Sequence, residues 1–447
     1  MDLPLPSQIK NMRYTALDGL RGFAALQVVA LHYVSSFIPS IFLPTNWQPN
    51  QTHLTVAQKW IAGTPLFYFI DGYSGVYVFF LLSGFVLTKA YSDHKVPMGA
   101  NIASRAVRLL VPVWASLILA LLCFIFFPND ISAAAALSQS AWLYHHAPDP
   151  LSLLAFIKDL LGSSLTGYEG FTVFNTMPGV KKALGLLSTD NSLNAPLWTL
   201  HFELYGSLMI MVLVSLRAKA HWLYWLAVIG FLLIAPASPL SHFIVGQLAF
   251  IFLKNYPVQP KTQKGFMLLG YLSLALGIVI TSYKNSSILN IIGGWLSVHT
   301  WLASLSPFQF QSQIAAIFIF LGVLGIIPAA SRLNVIAPIL NGRFFQWIGK
   351  YSFTIYLVHL PILLTLGSFV YEMTAPQFGT SWAAFITIIT SALFTLPVVI
   401  IFENLVNSPA ITLSHRIKNQ PAIVSVCTKI YLTTVMKLKS FRTKTIS

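Results

Sequence analysis

Apolar stretches of membrane-crossing length recur along the whole chain, separated by short polar segments. A helix needs about 20 predominantly apolar residues to cross a bilayer. The pattern predicts an all-α, polytopic integral membrane protein of about ten transmembrane helices. The predicted spans are 17–36, 72–91, 107–127, 196–215, 221–236, 238–254, 266–283, 311–328, 351–371 and 382–403.

Composition supports this class and changes how the net charge is interpreted. Of 447 residues, 56% are hydrophobic and 9% are charged, whereas a soluble protein carries about 25% charged residues. The net charge of +15 would suggest nucleic-acid binding in a soluble chain. The positions of the basic residues along the chain indicate membrane topology instead. We therefore expect the lipid bilayer, and no nucleic acid, among the partners.

The basic residues fall almost entirely on one side of the predicted spans. With the N-terminus inside, the inner segments hold 22 of the 27 Lys and Arg. This bias is the positive-inside rule, and it predicts a cytoplasmic (inner) membrane protein with both termini in the cytoplasm. The outer segments hold the remaining lysines, which are Lys59, Lys158, Lys181, Lys182 and Lys284.

The regions outside the spans divide the chain into a membrane domain, 1–404, and a basic cytoplasmic tail, 405–447. The longest outer loop, about 128–195, contains the amphipathic stretch LSLLAFIKDLLG, which we expect on the membrane surface or over the outer mouth. The two cysteines, Cys123 and Cys427, predict neither a disulfide framework nor a metal site.

The first span, LDGLRGFAALQVVALHY, carries Arg21 and His32 inside it, in addition to Asp18 at its inner end. Ionisable residues inside a membrane are costly, so each is a hypothesis for a functional site. Arg21 and His32 are eleven residues apart, and eleven residues of an α-helix come within about 20° of three full rotations. Both side chains therefore lie on one face of the helix, with Arg21 ~16 Å nearer the cytoplasm. This layout suits a phosphate-bearing donor entering from the cytoplasm and an acceptor arriving from outside.

Glu203 is the acidic residue that lies deepest within a predicted span. Glu203 lies about seven residues from the outer end of the fourth span, and His32 lies about 15 residues from the inner end of the first span. At the rise of an α-helix, both residues are in the outer half of the bilayer. A carboxylate at the height of an imidazole can orient it and raise its basicity. We therefore predict a His32–Glu203 pair, although either residue could instead have a structural role.

Arg105 and Arg108 lie three residues apart at the inner end of the third span, in NIASRAVRLLVP. Basic residues there could simply satisfy the positive-inside rule. Alternatively, they could bind donor phosphates, since arginine can bind phosphate through two parallel hydrogen bonds. The sequence by itself leaves both interpretations open.

The ordered motifs of the chain resemble those of the acyltransferase-3 family of membrane O-acyltransferases, over nearly its whole length. The stretch LDGLRGFAALQVVALHY is similar to the family's first helix, whose arginine and histidine fall on Arg21 and His32. The stretch GVYVFFLLSGFVLTKAY, residues 75–91, is similar to its Phe-Phe and Ser-Gly-Phe helix. The family's two-arginine motif falls on Arg105 and Arg108.

Three later stretches complete the resemblance in the expected order. NAPLWTLHFELYG is similar to the family's block of Trp-Ser-Leu followed by glutamate, and places that glutamate on Glu203. GKYSFTIYLVHLP resembles the late Tyr-Leu-His-Pro helix, with its histidine on His359. FENLVNSP is similar to the closing glutamate-to-proline motif, on Glu403 and Pro409.

Two positions depart from the family pattern. Tyr77 stands where many members have aspartate, and Thr199 replaces the usual serine, so we expect an unusual acceptor specificity. The resemblance implies a cytoplasmic acyl-CoA donor and, commonly, a carbohydrate acceptor on the outer side. The expected co-substrate is acyl-CoA, most simply acetyl-CoA, and the expected acceptor is a glycan or lipid-linked glycan, with no bound cofactor.

These expectations define roles for the candidate residues. His32 would act as general base or accept the acyl group transiently. Glu203 would be its partner, and Arg21, Arg105 and Arg108 would hold the donor; the secondary site residues are His359, Tyr356 and Trp198. The rival hypotheses are a transporter with a His/Glu proton relay and a structural membrane protein. We find none of the internal repeats that many transporters show.

Overall fold

The computed structural model describes most of the chain, and all of its regular secondary structure is helical. The first described residue is Thr15 and the last is Gln420. The described residues are 15–42, 61, 64–92, 96–127, 131–146, 153–173, 183, 185–236, 238–259, 261–282, 307–329 and 333–420.

Ten long helices, here labelled α1 to α10, form the body of the described structure. Each of the ten predicted spans coincides with one of them, because a sustained apolar run favours a helix, which hydrogen-bonds its own backbone. Their bounds are α1 Thr15–Phe37, α2 Gly72–Tyr91, α3 Met98–Phe126, α4 Trp198–Lys219, α5 His221–Ile234, α6 Pro239–Asn255, α7 Gln263–Ser282, α8 Pro307–Ile326, α9 Arg343–Ile362 and α10 Thr380–Phe402.

Six helical segments of the described chain are long and apolar enough to cross a membrane. They are Gly72–Tyr91, Met98–Phe126, Ala195–Lys219, Gln263–Thr281, Arg343–Phe378 and Thr380–Asn419. The protein is therefore a multi-pass membrane protein. The count of ten spans and the cytoplasmic side of both termini stay predictions.

Helices α9 and α10 extend well beyond their predicted spans. A π-helical turn, Leu363–Gly367, joins α9 to a further helix that ends at Phe378. A second π-helical turn, Glu403–Asn407, joins α10 to a helix that ends at Asn419. The predicted domain boundary at 404 therefore falls inside a continuous helical segment, and residues 421–447 of the predicted tail lie outside the described residues.

The buried carboxylate of Glu403 fastens the second π-helical turn to α9. It accepts hydrogen bonds from the Thr354 hydroxyl at 2.5 Å, the Asn407 amide at 2.8 Å and the Ser408 hydroxyl at 3.0 Å. Hydrogen bonds to an ionised group are stronger than neutral ones and compensate for burial. The closing motif of the sequence thus has a structural role in the described protein.

Glycines let two pairs of helices approach closely in the core. A Cβ atom added to Gly22 of α1 would lie 2.6 Å from the Gly349 nitrogen of α9. Where α2 crosses α6, a Cβ on Gly84 would lie 2.1 Å from the Phe243 carbonyl oxygen. Small residues at such crossings allow the backbone contact on which helix association in membranes relies. Helix α1 is consequently held against α9, and α2 against α6.

The loop between α3 and α4 folds onto the bundle rather than projecting from it. The carboxylate of Asp159 is buried there and accepts hydrogen bonds from the Tyr168 hydroxyl at 2.6 Å, the Ser192 hydroxyl at 2.9 Å and the Leu193 amide at 3.2 Å. Burial raises the pKa of Asp159 above its ordinary value. In the same loop Leu153 is 74% exposed, and its contact with lipid stays a prediction.

Candidate active site

Two histidines meet at the centre of the bundle. The His32 Nδ1 atom of α1 lies 2.9 Å from the His359 Nε2 atom of α9, and the two rings stack with their centroids 5.1 Å apart. His32 is half-buried, and His359 is fully buried. The partner of the candidate base is therefore a second histidine that the sequence placed among the secondary site residues.

The hydrogen-bond partners assign the tautomer of each neutral ring. The His359 Nδ1 atom lies 3.0 Å from the Ile355 carbonyl oxygen, which can only accept, so Nδ1 carries the proton. His359 Nε2 then has a lone pair and accepts from the Nδ1–H of His32. This leaves an unprotonated Nε2 on His32, which is the state that a general base requires.

A proline in α9 determines where the chain enters α4. Pro361 has no backbone N–H, so the carbonyl of Leu357 loses its helical partner. The side-chain amide of Asn194 donates to that carbonyl at 2.8 Å, and the Tyr356 hydroxyl donates to the Pro196 carbonyl at 2.6 Å. Because Asn194 is fully buried, α4 begins inside the bundle, near the level of the histidine pair.

The predicted His32–Glu203 pair is wrong. Glu203 instead forms an ion pair with Arg105, and its Oε1 accepts a hydrogen bond from the Ser83 hydroxyl at 2.7 Å. The prediction counted the depth of Glu203 from the outer end of a span at 196. Since α4 begins already buried at Trp198, Glu203 lies about 7 Å further along it, away from the histidines.

Arg21, Arg105, Arg108 and Glu203 form a group that we call the arginine cluster. Arg21 interacts electrostatically with Glu203, and Arg108 with Arg105, Arg21 and Glu203. Arg105 is fixed by Glu203 and by the Ser207 hydroxyl at 2.7 Å. Within the described part of the chain, Arg21 and Arg108 have no hydrogen-bonded or ion-paired partner. The cluster holds three guanidinium groups and one carboxylate, and the carboxylates of Asp18 and Glu403 also act on Arg21 from outside it. The guanidinium groups of Arg21 and Arg108 are of the kind that binds an anion through paired hydrogen bonds.

His32 lines a small cavity, of about 50 Å³, which we call the histidine cavity. Trp198 and Tyr356, both secondary site residues in the sequence analysis, line it together with His32. Its other lining residues include Trp142, which comes from the loop between α3 and α4. Sequence reasoning missed Trp142, because no motif marks it and more than a hundred residues separate it from His32.

His201, a buried histidine of α4, has a structural role. The His201 Nδ1 atom lies 2.9 Å from the Leu165 carbonyl, and its Nε2 accepts from the Val173 amide at 3.1 Å. Both nitrogens therefore hold the backbone of the loop between α3 and α4 against α4.

The two departures from the family pattern are both in contact with aromatic rings of other helices. The Tyr77 ring stacks on that of His242 with the centroids 4.9 Å apart, and the Thr199 hydroxyl lies 2.7 Å from the Tyr356 hydroxyl.

The comparison with known families decides which class of enzyme this site belongs to. The family model described as "Acyltransferase domain" matches residues 14–403, which include the histidine pair and the arginine cluster. The chain belongs to the acyltransferase-3 family. The resemblance stated from the sequence motifs is therefore confirmed, and the protein is a membrane O-acyltransferase.

A curated relative of this acyltransferase supports the same activity. The chain is 22% identical over 379 residues to the O-acetyltransferase PaAT-1 of Phomopsis amygdali, which covers 78% of this chain and 72% of that protein. No solved structure matches the chain significantly.

Replacing His359 tests the assigned tautomers. We expect His359→Leu to lower kcat of the acyltransferase by ~10²-fold, at the low end of what general-base catalysis contributes, because His32 loses the acceptor that orients it. His359→Gln is expected to keep part of the activity, since its side-chain oxygen can accept from His32 Nδ1–H. Steady-state rates for both variants measure the difference. Equal activity of the two would contradict the orienting role.

Proposed function

We propose that this acyltransferase moves an acyl group, most simply acetyl, from acyl-CoA to a hydroxyl of a cell-envelope or exported glycan. The observation that carries the proposal is the two-level layout of α1. His32 lies in the histidine cavity, and Arg21 lies in the arginine cluster ~16 Å away along the same helix. In CoA a long pantetheine arm separates the phosphates from the thioester, so a donor of this class can occupy both levels.

The histidine cavity supplies the groups that acyl transfer needs. His32 Nε2 takes the proton of the acceptor hydroxyl as its oxygen forms a bond to the thioester carbonyl carbon. The carbon–sulfur bond then breaks, and the protonated His32 returns the proton to the leaving thiolate. Throughout, His359 accepts the hydrogen bond from Nδ1–H and holds the ring in place. Protons and electrons balance without any further reactant.

The arginine cluster suits the phosphates of the donor. Arg21 and Arg108 offer planar guanidinium groups that bind phosphate oxygens through paired hydrogen bonds. Glu203 forms its ion pair with Arg105, which leaves the guanidinium groups of Arg21 and Arg108 to bind the donor. We infer that this end of α1 faces the cytoplasm, where acyl-CoA is found, in agreement with the positive-inside distribution of the sequence.

The proposed acyl group and acceptor have separate support. The small volume of the histidine cavity favours a short acyl group, and the relative PaAT-1 is described as an O-acetyltransferase. Aromatic walls from Trp198 and Tyr356 suit the apolar face of a sugar ring. A glycan or lipid-linked glycan on the outer side of the cytoplasmic membrane is therefore our proposed acceptor.

The donor assignment is tested by CoA binding to the purified protein. We expect Arg108→Gln to weaken the Kd for CoA by about tenfold or more, as the loss of one charge-assisted contact predicts. Arg217→Gln, in the last turn of α4 and outside the cluster, is the control and is expected to bind normally. Isothermal titration calorimetry in detergent measures both. Identical affinities would contradict the arginine cluster as donor site.

Radiolabelled acetyl-CoA then tests the transfer itself. Membranes that contain the protein should convert the label into alkali-labile ester in a glycan fraction, and mass spectrometry of that fraction identifies the acceptor. Binding of CoA without any ester formation would instead favour the transporter hypothesis.

A further inference from the structure

The indole of Trp142 contacts two imidazoles and lines the histidine cavity. Its ring centroid lies 5.4 Å from that of His32 and 4.1 Å from that of His146. Trp142 belongs to the short helix Ala141–His145 of the loop between α3 and α4. A residue from outside the long helices therefore covers the candidate base directly.

One hydrogen bond fastens this short helix to α1, and two more lie within the helix and its caps. The Ser140 hydroxyl donates to the Ser35 carbonyl of α1 at 2.6 Å and also accepts from the Leu143 amide at 3.0 Å, which caps the helix. The His146 Nδ1–H donates to the Trp142 carbonyl at 2.8 Å. Because Ser140 and Leu143 are buried, the position of Trp142 is coupled to the end of α1 that carries His32.

A general base next to a thioester creates a chemical problem that this enclosure can solve. An unprotonated His32 Nε2 activates a water molecule by the same proton transfer that activates an acceptor hydroxyl. Water would then attack the carbonyl carbon, break the carbon–sulfur bond, and yield a free carboxylic acid and CoA. An acyltransferase avoids this loss by keeping water out of the reacting site.

We propose that Trp142 is a specificity-determining residue, which excludes water from His32 so that transfer to the acceptor prevails over hydrolysis of the donor. The proposal rests on acyl-CoA as the donor. Trp142 contacts the ring of His32 and lines the histidine cavity. His146 acts through Trp142 as a positioning residue. Burial lowers the pKa of His146, which favours the neutral ring that stacks on the indole.

The test measures two products of radiolabelled acetyl-CoA in membranes that contain the protein and its endogenous acceptor. Alkali-labile ester reports transfer, and free acetate reports hydrolysis. We expect Trp142→Ala to raise the ratio of hydrolysis to transfer by about tenfold, which corresponds to a change of about 1.4 kcal/mol in relative barriers. Trp142→Phe, which keeps an aromatic cover, is expected to restore most of the wild-type ratio.

Matched variants separate this role from a loss of structure. Tyr144→Ala removes an aromatic side chain that is 61% exposed on the same short helix, and is expected to keep the wild-type ratio. His146→Ala should raise the ratio in the same direction as Trp142→Ala. The acetate released by Trp142→Ala must also disappear when His32→Ala is added, because His32 activates the water.

The outcomes distinguish the two proposals. A wild-type protein that turns over no acetyl-CoA would overturn the donor assignment. The water-excluding role alone would be overturned by a different set of results. In that set the wild-type protein transfers acetyl normally, Trp142→Ala lowers ester and acetate in parallel, and His146→Ala leaves their ratio unchanged. An acetate release that persists in the Trp142→Ala, His32→Ala double variant would also overturn it.

Discussion

His32→Ala is expected to lower kcat for transfer by ~10²- to 10⁴-fold, the range that a positioned general base contributes. The variant loses the unprotonated Nε2 that takes the acceptor proton. His32 is half-buried, and among the residues that the structure describes its ring makes one hydrogen bond, to His359, so we expect the variant to fold. CoA affinity should be unchanged, because the arginine cluster lies ~16 Å away along α1.

The measurement for His32 is a radiolabelled transfer assay with CoA binding determined in parallel. His221→Ala is a matched control, because His221 is an exposed histidine of α5 that hydrogen-bonds to Trp225 at 3.0 Å. Full activity in His32→Ala would remove the base from the proposed mechanism. A parallel loss of CoA binding would indicate a structural defect instead.

Glu203→Gln is expected to destabilise the protein by about 3–5 kcal/mol, the cost of removing one partner from a buried ion pair. The side chains of Arg105 and Glu203 are only 11% and 15% exposed, so water compensates little for the lost carboxylate. The remaining arginines would then repel one another within the cluster. Thermal unfolding of the purified protein in detergent, followed as Tm, measures the loss.

A double variant decides between the two possible roles of Glu203. If its carboxylate neutralises Arg105, then Arg105→Gln added to Glu203→Gln should recover part of the lost Tm, as coupled residues do. Glu169→Gln, at an exposed position, should leave Tm unchanged. A normal Tm with a kcat as low as that of His32→Ala would instead restore the His32–Glu203 pair that the structure separates.

The positions of Arg21 and His32 show what helical periodicity predicts well. Their spacing of eleven residues placed both on one face of the first helix, and in the structure both are directed toward α4. Arg21 interacts with Glu203 of α4, and His32 shares its cavity with Trp198 of α4. This prediction needed only the geometry of one regular helix.

The position of Glu203 shows where such reasoning ends. Its depth depends on where α4 begins, and that point is set by Asn194, which binds the Leu357 carbonyl 163 residues away in sequence. The carbonyl is available because Pro361 removes its helical partner. A hydropathy pattern records the apolar length of a span and does not record such a contact.

The sequence by itself determined the membrane class, the positions of the long helices, the common face of Arg21 and His32, and the family. These features depend on local periodicity and on ordered motifs, which neighbouring residues express directly. Only the tertiary structure decided that His359 is the partner of His32, that Glu203 belongs to Arg105, and that Trp142 covers the base. Those pairings depend on the relative heights of helices and on the folding of a distant loop, which long-range contacts fix.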